Sequence, residues 1–390
     1  MSAAVRQPEP ADEGSPEERQ LAWAYLSRVV EGASKPLVAL INEVGPVIAA
    51  RVVRENRLEV LDSKTVARRE IDLVEQDLEA IARMGGRLVT PDSPEWPAWR
   101  FNAFALLDDD NTIHQRSDYA PPVALWVRGE MALSELDDRG VAIVGTRAAS
   151  GYGEHVTAEI AGDLAVEGYT VVSGAAYGID GSAHRAALGQ GGKTVAVLAC
   201  GLDRVYPAGH GKLLQAIARQ GAVISEYPPG TVPAKFRFLA RNRLVAALTD
   251  ATLVVEAGWR SGARNTANWA AALGRQVLAV PGPVTAATSA GCHRMIKEGV
   301  ATLVTNAGDV MEAAGPIGTL ALEPTVPARP TDKLSPAQLQ VYDGFPSSGA
   351  IGVAELSQES GLRMPIVMGA LSVLELEGLV STDGTGWFRK

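Results

Sequence analysis

The sequence predicts an α/β fold with a mainly parallel sheet, and two observations lead to that prediction. Seven short β-branched runs alternate with helical stretches between residues 123 and 280, a pattern typical of βαβ units. Two of the runs enter glycine-rich loops, at Gly145-Thr146-Arg147 and at Ser173-Gly174, and each loop is expected to open a helix. A helix start after a strand favours an anion, and glycine lets that anion approach the backbone. We therefore expect phosphate recognition at the carboxyl edge of the sheet.

The N-terminal part of the chain predicts a tail and a helical module. Residues 1–20 are polar and rich in proline, so we expect a disordered tail. Apolar residues recur at helical spacing from residue 21, and we predict a small helical, SAM-like module with an irregular connector over residues 21–118. Within it, Gly45-Pro46 leaves open a helix-hairpin-helix turn beside ordinary helix packing.

The sheet domain is predicted over residues 119–315. Its strands are expected at Val123–Val127, Val141–Val144, Thr170–Val172, Thr194–Leu198, Val223–Ser225, Thr252–Val255 and Gln276–Val280. Four prolines predict a partly extended linker over residues 316–332. Three helical patterns followed by two short extended segments predict a winged helix-turn-helix over residues 333–390.

Composition limits the classes of protein to consider. The 390 residues are 46% hydrophobic and 21% charged, as in globular proteins, and no apolar run approaches the length of a bilayer span. With no secretory signal either, we expect a cytoplasmic protein without membrane contact. Cys200 and Cys292 do not form a zinc-binding pattern, so no metal is expected. The net charge is −9, yet residues 141–310 hold 15 Lys and Arg against 11 Asp and Glu, so the acid lies mainly outside the predicted sheet.

Several segments, in one order along the chain, resemble the DNA-processing protein A family, also called Smf, whose members act in natural transformation. The segments are Ala142–Arg147, Val171–Gly174, Gly178–His184, Arg241–Arg243, Val254–Ala257 and Val280–Gly282, within residues 121–304. The resemblance implies an extended Rossmann-like domain that binds single-stranded DNA, forms a homodimer and helps load the recombinase RecA. We expect no cofactor and no catalytic residue.

The candidate DNA-binding residues come from the glycine loops and from a basic run that contains aromatic residues. Arg147 and Lys235 match family positions that look like DNA contacts, although Arg147 has the alternative of a salt bridge at the strand end. Cations that follow a backbone, with rings that stack on bases, are typical of single-strand binding. The predicted phosphate- and DNA-binding residues are Gly145, Thr146, Arg147, Ser173, Gly174, Gly178, Lys235, Phe236, Arg237, Arg241, Asn242, Arg243, Ser261, Gly262 and Arg264. Asp180, His184 and Glu256 are expected to be structural.

Three details of this set stay open. Neighbouring helix positions point in different directions, so one of Arg241 and Arg243 is expected to bind phosphate and the other to brace a carboxylate such as Glu256. Ala208 stands where many relatives have lysine, and Arg204, His210 and Lys212 are candidates to replace that cation. Arg264 is an added charge that either extends the positive groove or faces solvent.

We predict a non-enzymatic mediator that binds and protects incoming single-stranded DNA and helps load RecA. An NAD enzyme is excluded because no G-x-G-x-x-G motif follows a strand. The alternative is a nucleotide-phosphate-binding hydrolase of a related fold that uses Arg147 and Glu256, although its P-G-G-x-G-T loop is missing.

The C-terminal residues favour protein contact over sequence-specific DNA binding. Residues 331–390 contain four Lys and Arg against seven Asp and Glu, and residues 365–371 contain no cation to meet phosphates. For the homodimer, we expect apolar surface for self-association near Val223–Ser225 and Leu244–Leu248.

Overall fold

The computed structural model describes residues 14–107, 119–137, 139–315 and 330–390. These residues divide into two compact units, one that ends at residue 315 and one that begins at residue 330. The first unit holds a group of helices and a nine-stranded sheet, and the second holds helices and a two-stranded sheet. The expected linker lies outside the described residues, except for its end, which belongs to the 3-10 turn Pro330–Lys333.

The N-terminal helices begin earlier than the sequence predicts. They are α1 (Pro16–Val29), α2 (Lys35–Arg54), α3 (Asp62–Thr65) and α4 (Val74–Arg83). Ser15 and Glu18 form a capping box, and Pro16 occupies the first turn. Proline is favourable there because N–H groups of the first turn have no partner within the helix. The expected tail is therefore wrong from Pro16 to residue 20, and residues 1–13 lie outside the described residues.

Helix α2 corrects the expectation that no segment could span a bilayer. It is 20 residues long and, by length and composition, apolar enough to cross a bilayer. Gly45 interrupts it with φ 77° and ψ 165°, and Pro46 follows. Leu37, Ile41 and Ala49 pack into a core shared with α1. Length and composition alone are thus weak support for a membrane span, and the break at Gly45 lies within ordinary helix packing.

The large sheet confirms the predicted α/β fold with mainly parallel strands. Its strands are β1 (Gly86–Val89), β2 (Leu125–Arg128), β3 (Gly140–Val144), β4 (Thr170–Ser173), β5 (Thr194–Leu198), β6 (Ala222–Ser225), β7 (Ala251–Val254), β8 (Gln276–Ala279) and β9 (Thr302–Leu303). Their order is β1-β2-β6-β5-β4-β3-β7-β8-β9. The pairs from β6 to β9 are parallel, whereas β1 and β2 add antiparallel pairs at one edge. The seven predicted strands are present, and β1 and β9 are additional.

The strand order reverses at β3, as in a Rossmann-like sheet. The remaining helices of this unit are α5 (Ala98–Phe101), α6 (Gly151–Val166), α7 (Ile179–Gly189), α8 (Gly211–Gln220), α9 (Lys235–Ala247), α10 (Gly262–Ala272), α11 (Ala290–Lys297) and α12 (Ala307–Ala314). The chain steps outward from β3 to β6, then returns through α9 to β7, which pairs with β3 on its other side. Open α/β sheets bind ligands at such a reversal.

The N-terminal helices and the sheet share a core. Trp23 and Leu26 of α1 belong to the same buried cluster as Trp126 of β2 and Leu198 of β5. Strand β1 pairs with β2 although it precedes residue 119, the predicted start of the sheet domain. The two predicted domains are therefore joined by both a core and a strand pair.

The two segments expected to provide apolar surface for self-association are part of this interior. Every residue of β6 is buried, and Leu244 and Leu248 are fully buried. That expectation is wrong, because a central strand and the inner face of α9 use their apolar side chains to fill the core.

The second unit contains α13 (Pro336–Asp343), α14 (Val353–Ser360), α15 (Met364–Leu376), β10 (Val380–Thr382) and β11 (Trp387–Arg389). Strands β10 and β11 form an antiparallel hairpin. Val341, Leu356 and Leu371, one from each helix, lie in a separate core. The elements follow the predicted order, and the winged helix-turn-helix class itself stays a prediction.

Candidate functional site

A cleft of about 760 Å³ opens at the carboxyl edge of the sheet, beside the end of β3. The loops after β3 and β4 and the first residues of α9 and α10 line it. Among the described residues, its charged lining consists of four cations and one acid: Arg147, Lys235, Arg241, Arg260 and Asp180. The cleft therefore favours an anionic ligand although the whole chain is acidic.

The structure brings most of the sequence-predicted residues together in this cleft. The predicted residues that line it are Gly145, Thr146, Arg147, Gly174, Lys235, Arg241, Asn242, Ser261 and Gly262. The predicted residues outside its lining are Ser173, Gly178, Phe236, Arg237, Arg243 and Arg264. Arg260, Tyr206 and Phe238 also line it, although none of the three was among the predicted DNA-binding residues.

A carboxylate of the protein itself occupies the N-terminus of α6, where the sequence led us to expect a phosphate. Glu256 is 1% exposed. It accepts hydrogen bonds from the Ser150 backbone N–H at 2.9 Å and from Ser150 Oγ at 2.6 Å. Its own carbonyl accepts the Thr146 N–H at 2.7 Å. The backbone N–H groups of Thr146 and Ser150 therefore already have partners within the protein, which corrects the expectation that the loop after β3 binds phosphate through its backbone. Glu256 organises the loop.

The start of α7 has an internal acid as well. Asp180 accepts a hydrogen bond from the Ala176 N–H at 3.3 Å. Burial raises the pKa of Asp180, although Arg241 opposes that rise. Gly178 precedes the helix with φ 75°, and a Cβ there would lie 2.3 Å from the Thr146 carbonyl. Gly178 therefore serves the close approach of two loops, which is a structural role.

Ser173 and His184 lie in the interior. Ser173 Oγ donates to the Ile143 carbonyl at 2.6 Å, so this hydroxyl links β4 to β3. His184 is fully buried, and its Nδ1 lies 2.7 Å from Thr194 Oγ1. Burial lowers the pKa of His184 to about 3, so the ring is neutral near pH 7. The prediction that Ser173 contacts phosphate is corrected, because its side chain is buried and bonded to Ile143.

Two other helix starts line the cleft. Helix α9 begins at Lys235 without a side-chain cap, and α10 begins after Ser261, whose Oγ accepts the Ala263 N–H at 3.2 Å. Neither helix has an acidic residue in its first turn. The positive ends of these two helix dipoles, with Lys235 beside them, attract an anion. The absence of an early acid is readable in the sequence and distinguishes α9 and α10 from α6 and α7.

Arg241 forms the floor of the cleft. It is 5% exposed, and its Nη1 donates to the Val197 carbonyl. Its Nε is a buried donor without a partner among the described residues. A Cβ on Gly174 would lie 2.5 Å from the guanidinium nitrogens, so the glycine is what allows the loop after β4 to lie over Arg241. Burial lowers the pKa of Arg241.

Arg237 and Arg243 do not face the cleft, which corrects their assignment to phosphate. Arg243 is fully buried, with Nη1 donating to Glu226 at 2.9 Å and Nε donating to the Ala120 carbonyl at 3.1 Å. Arg237 donates two hydrogen bonds of 2.9 Å to Glu31. Arg243 does brace a carboxylate, as expected of one arginine of the pair, but that carboxylate is Glu226.

Phe236, the aromatic residue predicted to contact DNA, lies outside the cleft lining. Phe236 is 55% exposed and lines a second groove of about 810 Å³. Phe238 lines the cleft instead; its ring centroid lies 5.2 Å from that of Tyr206, and the Arg147 guanidinium lies 5.4 Å from it. The stacking surface within the cleft is thus Phe238 with Tyr206.

The remaining cations named from the sequence are engaged or lie elsewhere. Arg264 pairs with Glu298 at 2.9 Å. Arg204 donates to the Gly230 carbonyl, and His210 is buried beside the Ala175 carbonyl. Lys212 lies on α8, outside the cleft lining. None of the three candidates to replace the cation missing at Ala208 therefore lies in the described lining of the cleft. No group of three or more His, Cys, Asp or Glu within the described ranges could hold a metal ion.

Three comparisons with known proteins agree. A family model described as "DNA recombination-mediator protein A" matches residues 87–315. A relative from Mycobacterium tuberculosis, "Putative DNA processing protein DprA", is 52% identical over 94% of this chain and 93% of its own length. "Protein Smf" from Escherichia coli K12 is 38% identical over 70% of this chain and 72% of its own length. The X-ray structure of DNA processing protein A from Streptococcus pneumoniae covers 77% of this chain and 96% of that chain, with 30% identity and a TM-score of 0.59.

Proposed function

Because this chain belongs to the DNA recombination-mediator protein A family, we propose that its cleft holds the phosphate backbone of single-stranded DNA. The protein acts by binding and protecting the strand. Arg147, Lys235 and Arg241 contact phosphates, together with the backbone N–H groups at the starts of α9 and α10. Contacts of this kind fix the strand without reading its sequence.

The observation that supports this proposal most is the cleft itself. It combines four cations, two helix starts without early acids and an aromatic wall of Phe238 and Tyr206. Phosphates suit the cations and helix starts, whereas unpaired bases suit the rings. A free nucleotide would use only part of this surface.

The carboxylates argue against the hydrolase alternative. Glu256, the acid expected to act with Arg147, is 1% exposed and already accepts hydrogen bonds from Ser150 and Thr288. A general base must reach the proton that it removes, directly or through one water. Asp180 lines the cleft, but it is 7% exposed and bound to the Ala176 N–H. We therefore propose binding without catalysis.

The experiment is a titration of the full chain with a labelled single-stranded oligonucleotide. The double variant R147A/K235A should bind roughly 10- to 100-fold more weakly, because two charged contacts are lost. The slope of log affinity against log salt should fall by about 0.7 for each phosphate contact removed. The control R83A/R219A removes the same charge from exposed arginines on α4 and α8, outside the cleft, and should bind like the wild type.

Competition separates the two functions. Duplex DNA of the same length should bind more weakly, and AMP should neither displace the oligonucleotide nor be hydrolysed. Undiminished binding by a folded R147A/K235A variant would overturn the proposal. Turnover of AMP that R147A abolishes would favour the hydrolase.

The family also supports finer proposals about role and partner. We propose that the protein works in the cytoplasm, where it passes single-stranded DNA to RecA during natural transformation. RecA filaments should then form faster on DNA coated by a single-strand-binding protein when this chain is added, and R147A/K235A should lose the effect. Equal filament growth with and without the wild-type chain would contradict this role.

For the homodimer, we propose a second copy of this chain as the occupant of the exposed apolar face of α15. Ile366, Val373 and Leu376 are 40%, 39% and 90% exposed, and Gly369 lies between them on the helix. Glycine permits close approach of two helices. Arg363 precedes the helix and Glu377 follows it, so an antiparallel pair about Gly369 sets each arginine beside the other copy's glutamate.

A further inference from the structure

Trp259 is a large aromatic side chain left exposed at the edge of the cleft. It is 60% exposed, and both of its chain neighbours, Gly258 and Arg260, line the cleft. An indole offers a large, rigid apolar face, so an exposed tryptophan beside the cleft is placed to stack on a ligand that lies there. The preceding strand β7 and the following helix α10 fix both ends of its short loop.

A chain of charged contacts supports the indole ring. The Arg294 guanidinium lies 4.5 Å from the ring centroid. Arg294 Nε donates to Glu298 at 2.6 Å, and Arg264 donates to the same carboxylate at 2.9 Å. A cation held over an indole restrains the plane of the ring. Arg264, which the sequence left open as part of the groove, thus acts indirectly, because it shares the carboxylate that positions Arg294.

We propose that Trp259 is a stacking platform for one unpaired base of the strand whose phosphates lie in the cleft. The inference rests on the function proposed above and adds to it a residue that selects single strands. Arg260 brings a cation to the same loop, so a phosphate and its base can be held side by side. In a duplex the bases stack on one another, so their faces are not accessible to Trp259. The bases of a single strand can instead stack on the indole ring.

The experiment compares two oligonucleotides of equal length and charge, oligothymidine and the same strand with abasic sugars. W259L keeps apolar bulk but removes the aromatic face. It should bind oligothymidine roughly 5- to 100-fold more weakly and the abasic strand within about twofold of the wild type. W259F keeps a ring and should recover most of the affinity. W99L is the matched control, since Trp99 is 67% exposed and lies on α5, outside the cleft lining.

The outcomes separate this inference from the proposed function. R147A/K235A should weaken both strands, whereas W259L should weaken only the strand with bases and should reduce the preference for single strands over duplex. If W259L binds oligothymidine like the wild type, or loses equal affinity for both strands, the platform is overturned and phosphate binding stands. If the wild-type chain binds neither strand, both proposals are overturned. Quenching of tryptophan fluorescence by oligothymidine, lost in W259L and kept in W99L, should accompany the expected result.

Discussion

At the scale of single residues, the partners of the charged side chains decide which of them are available to a ligand. Arg147 and Lys235 are exposed in the cleft. In contrast, Arg237 forms an ion pair with Glu31, and Arg243 forms one with Glu226. Breaking such a buried pair would leave a charge without a partner, which is costly. Lys235 and Arg237, two cations only two positions apart, therefore have different roles.

Gly174 provides a test of how closely the loop after β4 must approach Arg241. A methyl group in G174A would lie 2.5 Å from the guanidinium, so either the loop or Arg241 must move. We expect about tenfold weaker oligonucleotide binding by a folded G174A variant, measured by fluorescence anisotropy. G189A is the matched control, because Gly189 lies on α7 outside the cleft lining and a Cβ there meets no atom within 4 Å. Equal affinities of the two variants would contradict this prediction.

His184 should make stability depend on pH. Its pKa is about 3 in the folded chain against 6.5 ordinarily, so between these values only the unfolded chain binds the proton. The stabilisation is complete above pH 6.5 and is lost as pH falls toward 3. Burial is the main cause of the lowered pKa, and the neighbouring titratable groups His210, Arg185 and Arg241 lower it further. H184Q lacks this titration.

The difference in unfolding free energy between the wild type and H184Q should therefore shrink by about 2 kcal/mol from about pH 7.5 to about pH 5. Urea denaturation at both pH values measures it. A difference that stays constant with pH would contradict a neutral, buried His184.

At the scale of elements, what occupies a helix start determines its function. Helices α6 and α7 have their starts filled by Glu256 and Asp180, whereas α9 and α10 begin at the cleft without an early acid. The same dipole thus stabilises internal loops at two helices and is available to a ligand at the other two. Helix α15 differs from all four, since its distinctive feature is an uncharged, exposed side.

The antiparallel pair through α15 can be tested with one valine. V373E places a charge in the proposed contact and should weaken self-association at least about tenfold, because the carboxylate would lose water. V166E is the control, since Val166 is also helical and is 64% exposed on α6. Analytical ultracentrifugation measures both. A wild-type chain that sediments as a monomer at micromolar concentration would count against the pair, as would equal effects of the two substitutions.

Elements were easier to predict than contacts, for physical reasons. Strands β3 to β8 are continuous apolar runs, since parallel strands are covered on both faces. Strand β9 has two residues, both exposed, and carries no such pattern. The glycine loops lie at the carboxyl edge of the sheet, and the predicted residues Arg147, Lys235 and Arg241 line the cleft there. Their contact with phosphate stays a prediction. The partners Glu226 for Arg243 and Glu31 for Arg237 come from other parts of the chain, so local spacing could not reveal them.

At the scale of the whole molecule, the described residues form two compact units with separate interiors. The clusters around the large sheet belong to the first, whereas Val341, Leu356 and Leu371 fill the core of the second. A core in a unit of this size supplies little stability, so a single cavity can unfold it. The units should therefore respond separately to heat.

We expect two transitions in differential scanning calorimetry of the full chain. L356A should shift or abolish only the smaller one, because deletion of a fully buried leucine costs about 2–5 kcal/mol. L253A, at a fully buried position of β7, should shift only the larger one. Binding of single-stranded DNA through the cleft should survive L356A. A single transition that both substitutions shift would contradict two separate cores.

The pairing of β1 with β2 has a practical consequence for dissecting the protein. A fragment that starts at residue 119 would omit Gly86–Val89 and leave the outer hydrogen-bonding groups of β2 bare. Bare strand edges recruit other strands, so such a fragment is prone to aggregate. It would also lose the α1 side chains that belong to the same buried cluster as Trp126. Shortened versions intended for crystals or binding assays should keep the N-terminal helices and be trimmed at the other end, between the two units.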